Sequence, residues 1–91
     1  MPSRKVTISN RLGLHARPAM LLAERASTFS STIGIARADA GDPVDGKSIM
    51  QLLMLAGTSG TVLKITAEGD DASAALASIA ELIERGFEDD E

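Results

Sequence analysis

The sequence predicts an α+β fold in two layers, in which one sheet carries helices on a single face. The hydrophobic spacing switches between strand and helix periods, in the order strand, helix, strand, short strand, short helix, strand, helix. Each helix has one apolar stripe and therefore needs one sheet face to cover it. A parallel doubly wound sheet needs a longer chain than 91 residues, so we expect a single domain over residues 1–91.

The first strand and the first helix flank a short connection. Residues 5–9 alternate polar and apolar side chains, and Gly13 is the pivot of the connection over 10–14. Pro18 suits the first turn of the helix that follows, which fades over 27–31. We expect this helix to bury a stripe of apolar side chains, namely Ala19, Leu22, Ala23, Ala26 and Phe29.

The remaining strands differ in strength. Ile33 and Ile35 mark the second strand, and residues 61–67 alternate clearly enough to predict the last one. Between them, residues 38–46 are rich in Asp, Gly and Pro, which are turn residues. Only a very short strand at Val44 is predicted there.

Two helix starts carry capping signals. Ser48 is followed three residues later by Gln51, which is the pattern of a capping box, and predicts a short apolar helix over 49–56 that Gly57 stops.

Asp70 or Asp71 is predicted to cap the last helix. Gly86 stands where a left-handed helix end belongs, and Phe87 after it is expected to pack back onto Leu82. The buried stripe of this helix is predicted to be Ala72, Leu76, Ile79, Ala80 and Ile83.

The composition excludes several classes of function. The formal net charge is −4, and the chain has no Tyr or Trp to stack on bases, so nucleic acid is not an expected partner. The absence of cysteine and the single histidine leave no plausible metal site, and no cofactor is expected. No apolar run could span a membrane, and no signal segment opens the chain, so we expect a cytoplasmic protein. Residues 88–91 are predicted to be a solvated acidic tail.

The only histidine lies in the most informative run, residues 13–19 (Gly-Leu-His-Ala-Arg-Pro-Ala). A lone histidine is most often a surface or core residue without a special role. His15, however, stands directly before a helix start, where unpaired N–H groups and a partial positive charge favour anions. A phosphoryl group on its ring would meet the backbone N–H groups of Ala16 and Arg17, and the Arg17 guanidinium would add charge-assisted bonds. No nucleotide-binding loop accompanies this site, which favours a phosphate relay over a kinase.

A second run, residues 44–50 (Val-Asp-Gly-Lys-Ser-Ile-Met), completes a resemblance to a known family. Residues 13–19 resemble the active-site signature of HPr, the phosphocarrier of the bacterial sugar phosphotransferase system, and residues 44–50 resemble its regulatory-serine region. The resemblance covers nearly the whole chain. It implies an open-faced β-sandwich, a four-stranded antiparallel sheet with three helices on one face. It also implies a carrier that is phosphorylated on Nδ1 of His15 and is not a stand-alone enzyme.

The resemblance also implies partners. Enzyme I would deliver phosphate from phosphoenolpyruvate, and IIA domains of sugar permeases would receive it. Ser48 would be the target of HPr kinase/phosphorylase, with transcriptional regulators as further partners, and Ile49, Met50 and Leu53 would dock partner proteins. The carrier is expected to be a monomer. Gln51 replaces a glycine common in the family, and Leu53 stands where many members have methionine, which bears on partner preference.

Three alternatives remain open from the sequence. One is a regulatory binding module in which phosphorylated Ser48 docks a transcription factor and His15 is vestigial. Another is a carrier of the nitrogen-related branch, which acts in signalling rather than in sugar uptake. The third is a small RNA-binding domain, which the acidic charge and the missing aromatic residues oppose.

Overall fold

A four-stranded antiparallel sheet and three helices make up the described part of the chain. The computed structural model describes residues 2–55 and 57–87. Along the chain the elements are β1 (Ser3–Thr7), α1 (Ala16–Ser27), β2 (Thr32–Arg37), β3 (Ala40–Asp45), α2 (Ile49–Met54), β4 (Val62–Glu68) and α3 (Ala72–Glu84). The strands lie in the order β1-β4-β2-β3, so β1 and β3 are the edges. The predicted α+β class and element order are confirmed.

The helices cover one face of the sheet and bury alternate residues of β2 and β4, together with Val6 of β1. The strand side chains on this face are almost fully buried, namely Val6, Ile33, Ile35, Leu63, Ile65 and Ala67. The predicted stripe of α1 is buried at Ala19, Leu22, Ala23 and Ala26, whereas its fifth member, Phe29, lies beyond the end of the helix at Ser27 and is only partly buried. The predicted stripe of α3 is buried at Ala72, Leu76, Ile79, Ala80 and Ile83. Burial contributes about 1.5–3 kcal/mol for each large aliphatic side chain, so these two stripes fix the helix layer on the sheet.

The third strand is longer than the sequence predicted. Residues expected to be mainly turns form β3, which spans six residues and pairs with β2. Pro43 is tolerated in it because β3 is an edge strand, where a missing N–H breaks no ladder between two neighbours. The turn residues Asp39 and Gly41 flank the hairpin start, and Gly41 has a φ of +92°. The hydrogen-bonded pairing of β3 with β2 therefore outweighs the turn propensity of the β3 residues.

Several element boundaries also differ from the prediction. The first strand ends at Thr7 rather than at residue 9, and the last strand spans Val62–Glu68 rather than residues 61–67. The first strand begins at Ser3 rather than at residue 5, because Ser3 pairs with Thr66 across the sheet. The second helix ends at Met54, with Leu55 as its C-cap, rather than at residue 56. Ala56 lies outside the described residues, and the extended segment that follows begins at Gly57.

The start of α3 uses the predicted residue in an unpredicted way. Asp71 occupies the N-cap position, but its side chain makes no capping hydrogen bond. Its carboxylate instead accepts hydrogen bonds from the backbone N–H groups of Ser30 and Ser31, at 2.9 and 3.0 Å, and from the hydroxyl groups of both serines. These four bonds hold the pKa of Asp71 down at about 2, against 3.8 ordinarily, with the Ser31 hydroxyl as the largest cause. Asp71 therefore ties α3 to the segment between α1 and β2.

The end of α3 has the predicted left-handed stop. Gly86 has a φ of +66°, its N–H donates to Ile83 O, and the Phe87 N–H donates to Leu82 O at 2.9 Å. This pair of bonds defines a Schellman end. Phe87 is fully buried and belongs to the same core cluster as Leu82. The predicted acidic tail, residues 88–91, lies outside the described residues.

Candidate functional site

His15 is the N-cap residue of α1. Its backbone is extended, and its carbonyl accepts the first hydrogen bond of the helix, from Ala19 N–H at 2.9 Å. The imidazole makes no capping hydrogen bond and is half-buried. The N–H groups of a first helical turn have no acceptor inside the helix, and the first turn of α1 contains no acidic residue. The ring therefore lies at the positive end of a helix, where an anion is favoured.

The loop that leads to His15 is fixed from two sides. Gly13 has a φ of +71°, and a Cβ at this position would lie 2.5 Å from the carbonyl oxygen of Gly57. Leu14 N–H donates to the same oxygen at 2.7 Å, and the Asn10 side-chain amide donates to the Gly13 carbonyl at 2.7 Å. Only glycine fits at position 13 without strain, so the loop has one well-defined path into the helix.

Gly57 has a role that the sequence did not indicate. It was predicted only as the stop of the second helix. In the fold it supplies the carbonyl that holds Leu14, and a Cβ at Gly57 would lie 2.7 Å from Cδ1 of Ile8. The close contact between Gly13 and Gly57 fixes the loop that leads to His15. Because these glycines are far apart in sequence, no local sequence pattern predicts their contact.

The other predicted residues of this site lie in the first turn of α1. Ala16 and Arg17 are exposed, whereas Pro18 and Ala19 are buried against the core. The turn therefore has an inner side that packs and an outer side that faces solvent. Arg17, two residues beyond His15, belongs to the outer side.

Ser48 is the N-cap residue of α2. Its hydroxyl accepts from Gln51 N–H at 3.2 Å, as a capping box requires. The return bond of the box does not form, because the Gln51 side-chain oxygen accepts from the N–H of Asp45 at 2.9 Å instead. Of the two hydrogen bonds in the predicted capping box, only the bond to the Ser48 hydroxyl is present. The Gln51 side chain instead connects α2 to the end of β3.

Lys47, which the sequence did not single out for structure, joins the two helices of the site. Its ammonium group donates to the carbonyl of Phe29, just beyond the end of α1, at 2.8 Å. Its backbone N–H donates to the Asp45 carboxylate at 2.9 Å. A cation near a helix C-terminus is favourable, so Lys47 holds the start of α2 against the end of α1.

An exposed apolar surface covers the outer side of α2. Ile49 and Leu53 are each 41% exposed and Met50 is 76% exposed, whereas Leu52 is fully buried. Met54, 78% exposed, extends this surface and was not predicted. We call Ile49, Met50, Leu53 and Met54 the α2 patch. Apolar residues on both sides of one short helix indicate that one side packs and the other side is available to a partner.

A cleft separates the α2 patch from α1. Ala23, Glu24 and Ser27 line it on the α1 side, and residues 47–50 line it on the other. Ser48 therefore lies on the rim of the α2 patch, and His15 begins the neighbouring helix.

Residues 2–55 and 57–87 hold no group of three or more His, Asp or Glu side chains that could share a metal ion. No helix in this part of the chain is long and apolar enough to cross a membrane.

Comparison with known proteins decides the family. The model of the PTS HPr component phosphorylation site matches residues 2–85. The chain belongs to the HPr family. It is an HPr-family phosphocarrier of the phosphotransferase system, and its relatives carry phosphate rather than act as stand-alone catalysts.

Relatives named NPr and relatives named HPr both resemble the chain. It is 41% identical to phosphocarrier protein NPr of Proteus mirabilis over 87 residues, 96% of each chain. It is 41% identical to phosphocarrier protein HPr of Pseudomonas putida over 91 residues, the whole of each. The crystal structure of HPr from Thermoanaerobacter tengcongensis superposes with a TM-score of 0.89 at 41% identity, covering 97% of each chain. The open-faced HPr sandwich predicted from the sequence is thus confirmed.

Proposed function

We propose that His15 is the residue that accepts and donates the phosphoryl group. The observation that supports this is its position as the N-cap of α1, with an imidazole that takes no part in capping. A nitrogen lone pair of the neutral ring, Nδ1 by family resemblance, attacks phosphorus as the bond to the donor breaks. The reverse exchange passes the group to the acceptor, so no other reactant is consumed.

Arg17 and the first turn of α1 stabilise the phosphorylated form. The Ala16 and Arg17 N–H groups bind phosphoryl oxygens at the helix end, and the Arg17 guanidinium adds charge-assisted bonds. Phosphoryl transfer depends mainly on positioning and charge stabilisation, so this small set of groups is sufficient when partners bring their own residues.

The partners of this cycle are enzyme I as donor and IIA domains as acceptors. They dock on the α2 patch, whose exposed side chains surround the start of α2 and lie next to α1. The carrier acts as a cytoplasmic monomer, because each exchange uses the same face and a permanent dimer through that face would block it.

Ser48 is the regulatory position, phosphorylated by HPr kinase/phosphorylase where the host has that enzyme. A phosphate at this N-cap is compatible with the helix because it adds negative charge at the positive end of the helix. It also places that charge on the rim of the α2 patch, where partner proteins would meet it. Transcriptional regulators are the partners that would recognise this form.

The experiment for His15 is labelling with phosphoenolpyruvate and enzyme I. We expect wild-type protein to acquire one acid-labile, base-stable phosphoryl group, as a phosphoramidate does, and a His15→Ala variant to acquire none. Labelling of His15→Ala to the wild-type level would overturn the assignment.

A role in the nitrogen-related branch is the second candidate function. The NPr relative is as similar to this chain as the HPr relative, at 41% identity each. Competition between purified enzyme I of the sugar branch and its nitrogen-branch counterpart tests this directly. The faster donor, compared by kcat/KM, identifies the branch.

A further inference from the structure

The face of the sheet opposite the helices carries a pair of lysines in register. Lys5 on β1 and Lys64 on β4 are directly opposite partners in the antiparallel ladder, and both are exposed. Like charges at directly opposite positions destabilise a sheet. The fold therefore keeps an unfavourable pair on its uncovered face, between the edge strand β1 and its neighbour β4.

Nothing in the described residues neutralises this pair. Across residues 2–55 and 57–87, no carboxylate forms an ion pair with either ammonium group. The neighbours along each strand on the same face are uncharged, namely Ser3 and Thr7 on β1 and Val62 and Thr66 on β4. Glu68 lies four residues from Lys64 along β4, about 13 Å at the usual strand rise.

Protection of a sheet edge explains the presence of Lys5 but not that of Lys64. Lysines on edge strands prevent pairing with other chains, which accounts for Lys5 on β1. Lys64 lies on β4, which has a neighbour on each side and needs no such protection. A bound anionic group would relieve the repulsion between the two ammonium groups, so the pair is suited to binding a negative charge.

The surface beside the lysines is an open groove rather than an enclosed cup. Lys5 and Val62 line it together with Arg37, Ala38 and Asp39 of the β2–β3 hairpin. Arg37 is already engaged with Asp39 at 3.3 Å. The N–H groups of Ala38, Gly60 and Thr61 all donate to backbone carbonyls, so no backbone donors converge on a small anion. An open groove with side-chain cations suits an extended acidic segment better than a free phosphate ion.

We propose that this uncovered face, centred on Lys5 and Lys64, is a docking surface for an acidic polypeptide segment of a partner protein. The helices, with His15 and the α2 patch, occupy the other face of the sheet. A partner bound through the lysines therefore leaves the phosphoryl-exchange surface accessible.

The test is an NMR titration of ¹⁵N-labelled protein with a short oligoglutamate peptide at low ionic strength. We expect amide shifts to concentrate at Lys5, Lys64 and the groove residues, and to fade as salt is added. A Lys5→Gln, Lys64→Gln double variant should bind about tenfold more weakly, since it loses two exposed charge contacts. Arg4→Gln is the matched control, because Arg4 lies beside Lys5 but pairs with Glu84 of α3 at 3.8 Å.

A charge reversal gives a second, independent readout. Lys5→Glu replaces the like-charge pair by an opposite-charge pair, so it should raise the melting temperature while it abolishes peptide binding.

Four results would overturn the proposal. They are shifts centred on Arg11 and Arg17 that the double variant leaves unchanged, equal shifts with inorganic phosphate, concentration-dependent self-association through this face without peptide, or no binding at all.

Discussion

At the scale of single residues, the first turn of α1 has a buried side and an exposed side. Pro18 and Ala19 are buried in the core, whereas Ala16 and Arg17 face solvent. Substitutions on the outer side should therefore change phosphoryl transfer without changing stability.

We predict that Arg17→Ala slows transfer to His15 about 10- to 150-fold. This range corresponds to the loss of a hydrogen bond to a charged group, worth about 1.5–3 kcal/mol. The melting temperature should not change, because Arg17 is exposed. The measurement is kcat/KM with phosphorylated enzyme I, and Arg4→Ala, another exposed arginine, is the control. A parallel loss of stability and activity would assign Arg17 a structural role instead.

We predict that Ser48→Asp leaves the fold intact and weakens docking to enzyme I. Asp caps a helix as well as Ser does, and its charge suits the helix end, so the melting temperature should stay equal or rise slightly. A new carboxylate at the rim of the α2 patch should cost about 2–4 kcal/mol in the complex, roughly 30- to 1000-fold in affinity.

The matched variant for this prediction is Ser48→Ala. It removes the bond from Gln51 N–H and should lower stability by about 1 kcal/mol, with no effect on docking. The Michaelis constant for this protein as a substrate of enzyme I separates the two variants. An unchanged constant in Ser48→Asp would leave Ser48 as a helix cap only.

The residues that sequence alone identified share a local signal. His15 before a helix start and Ser48 three residues before Gln51 are patterns confined to a few neighbouring positions. The structural partners of the same sites have no such signal. Gly57 acts on the loop before His15, and Lys47 on Phe29, only because the chain folds back, and these contacts join residues 18 or more positions apart.

At the scale of elements, one carboxylate links α3 to the connection between α1 and β2. Asp71 accepts four hydrogen bonds from Ser30 and Ser31, and Ser31 is itself almost fully buried. These hydrogen bonds, that of the Ser31 hydroxyl most of all, favour the charged carboxylate and hold the pKa of Asp71 at about 2 in the folded protein.

We predict that this link makes the fold sensitive to acid. A carboxyl group whose pKa is lowered on folding stabilises the protein above its unfolded pKa, and this contribution is lost as the pH falls through the folded value. The loss should occur between about pH 4 and pH 2. Asp71→Asn should therefore melt at a lower temperature than wild type at pH 7, and the difference should shrink over this interval. Asp70→Asn, which alters the exposed neighbour, is the control, and a difference that persists unchanged at pH 2 would contradict the assignment.

The elements with a clear hydrophobic periodicity were predicted from the sequence, and the strand without one was not. The helices α1 and α3 have long apolar stripes, and every predicted stripe residue except Phe29 is buried. The structure also buries Pro18 in α1 and Ala75 and Leu82 in α3, which the stripes did not include. The strand β3 has no such pattern, since Gly41, Asp42 and Pro43 favour turns. Its extended form comes from pairing with β2, which is tertiary and cannot be read from a local window.

At the scale of the whole molecule, the two faces of the sheet have different surfaces. The helix face presents the α2 patch, four apolar side chains next to the cleft that α1 lines with Ala23, Glu24 and Ser27. The opposite face presents exposed polar and cationic residues along β1 and β4. Partner binding through apolar contacts should therefore depend on one face only.

We predict that Met50→Gln weakens binding to enzyme I about 10- to 150-fold and leaves the melting temperature unchanged. Burying a methionine side chain contributes about 1.5–3 kcal/mol, and Met50 is 76% exposed in the free protein. Val62→Thr, on the opposite face at 39% exposure, is the control and should bind normally. Calorimetric titration with enzyme I provides the measurement. Equal losses in both variants would indicate that docking is not restricted to the α2 patch.

The left-handed end of α3 has a practical consequence for protein engineering. A Cβ at Gly86 would lie 3.7 Å from Asn10 and from Ser9, and Asn10 holds the carbonyl of Gly13 on the way to His15. A fluorescent protein or affinity tag attached directly after Phe87 would therefore begin close to the loop that leads to His15. An N-terminal fusion starts at the edge strand β1, so biosensors built on this domain should carry their reporter there.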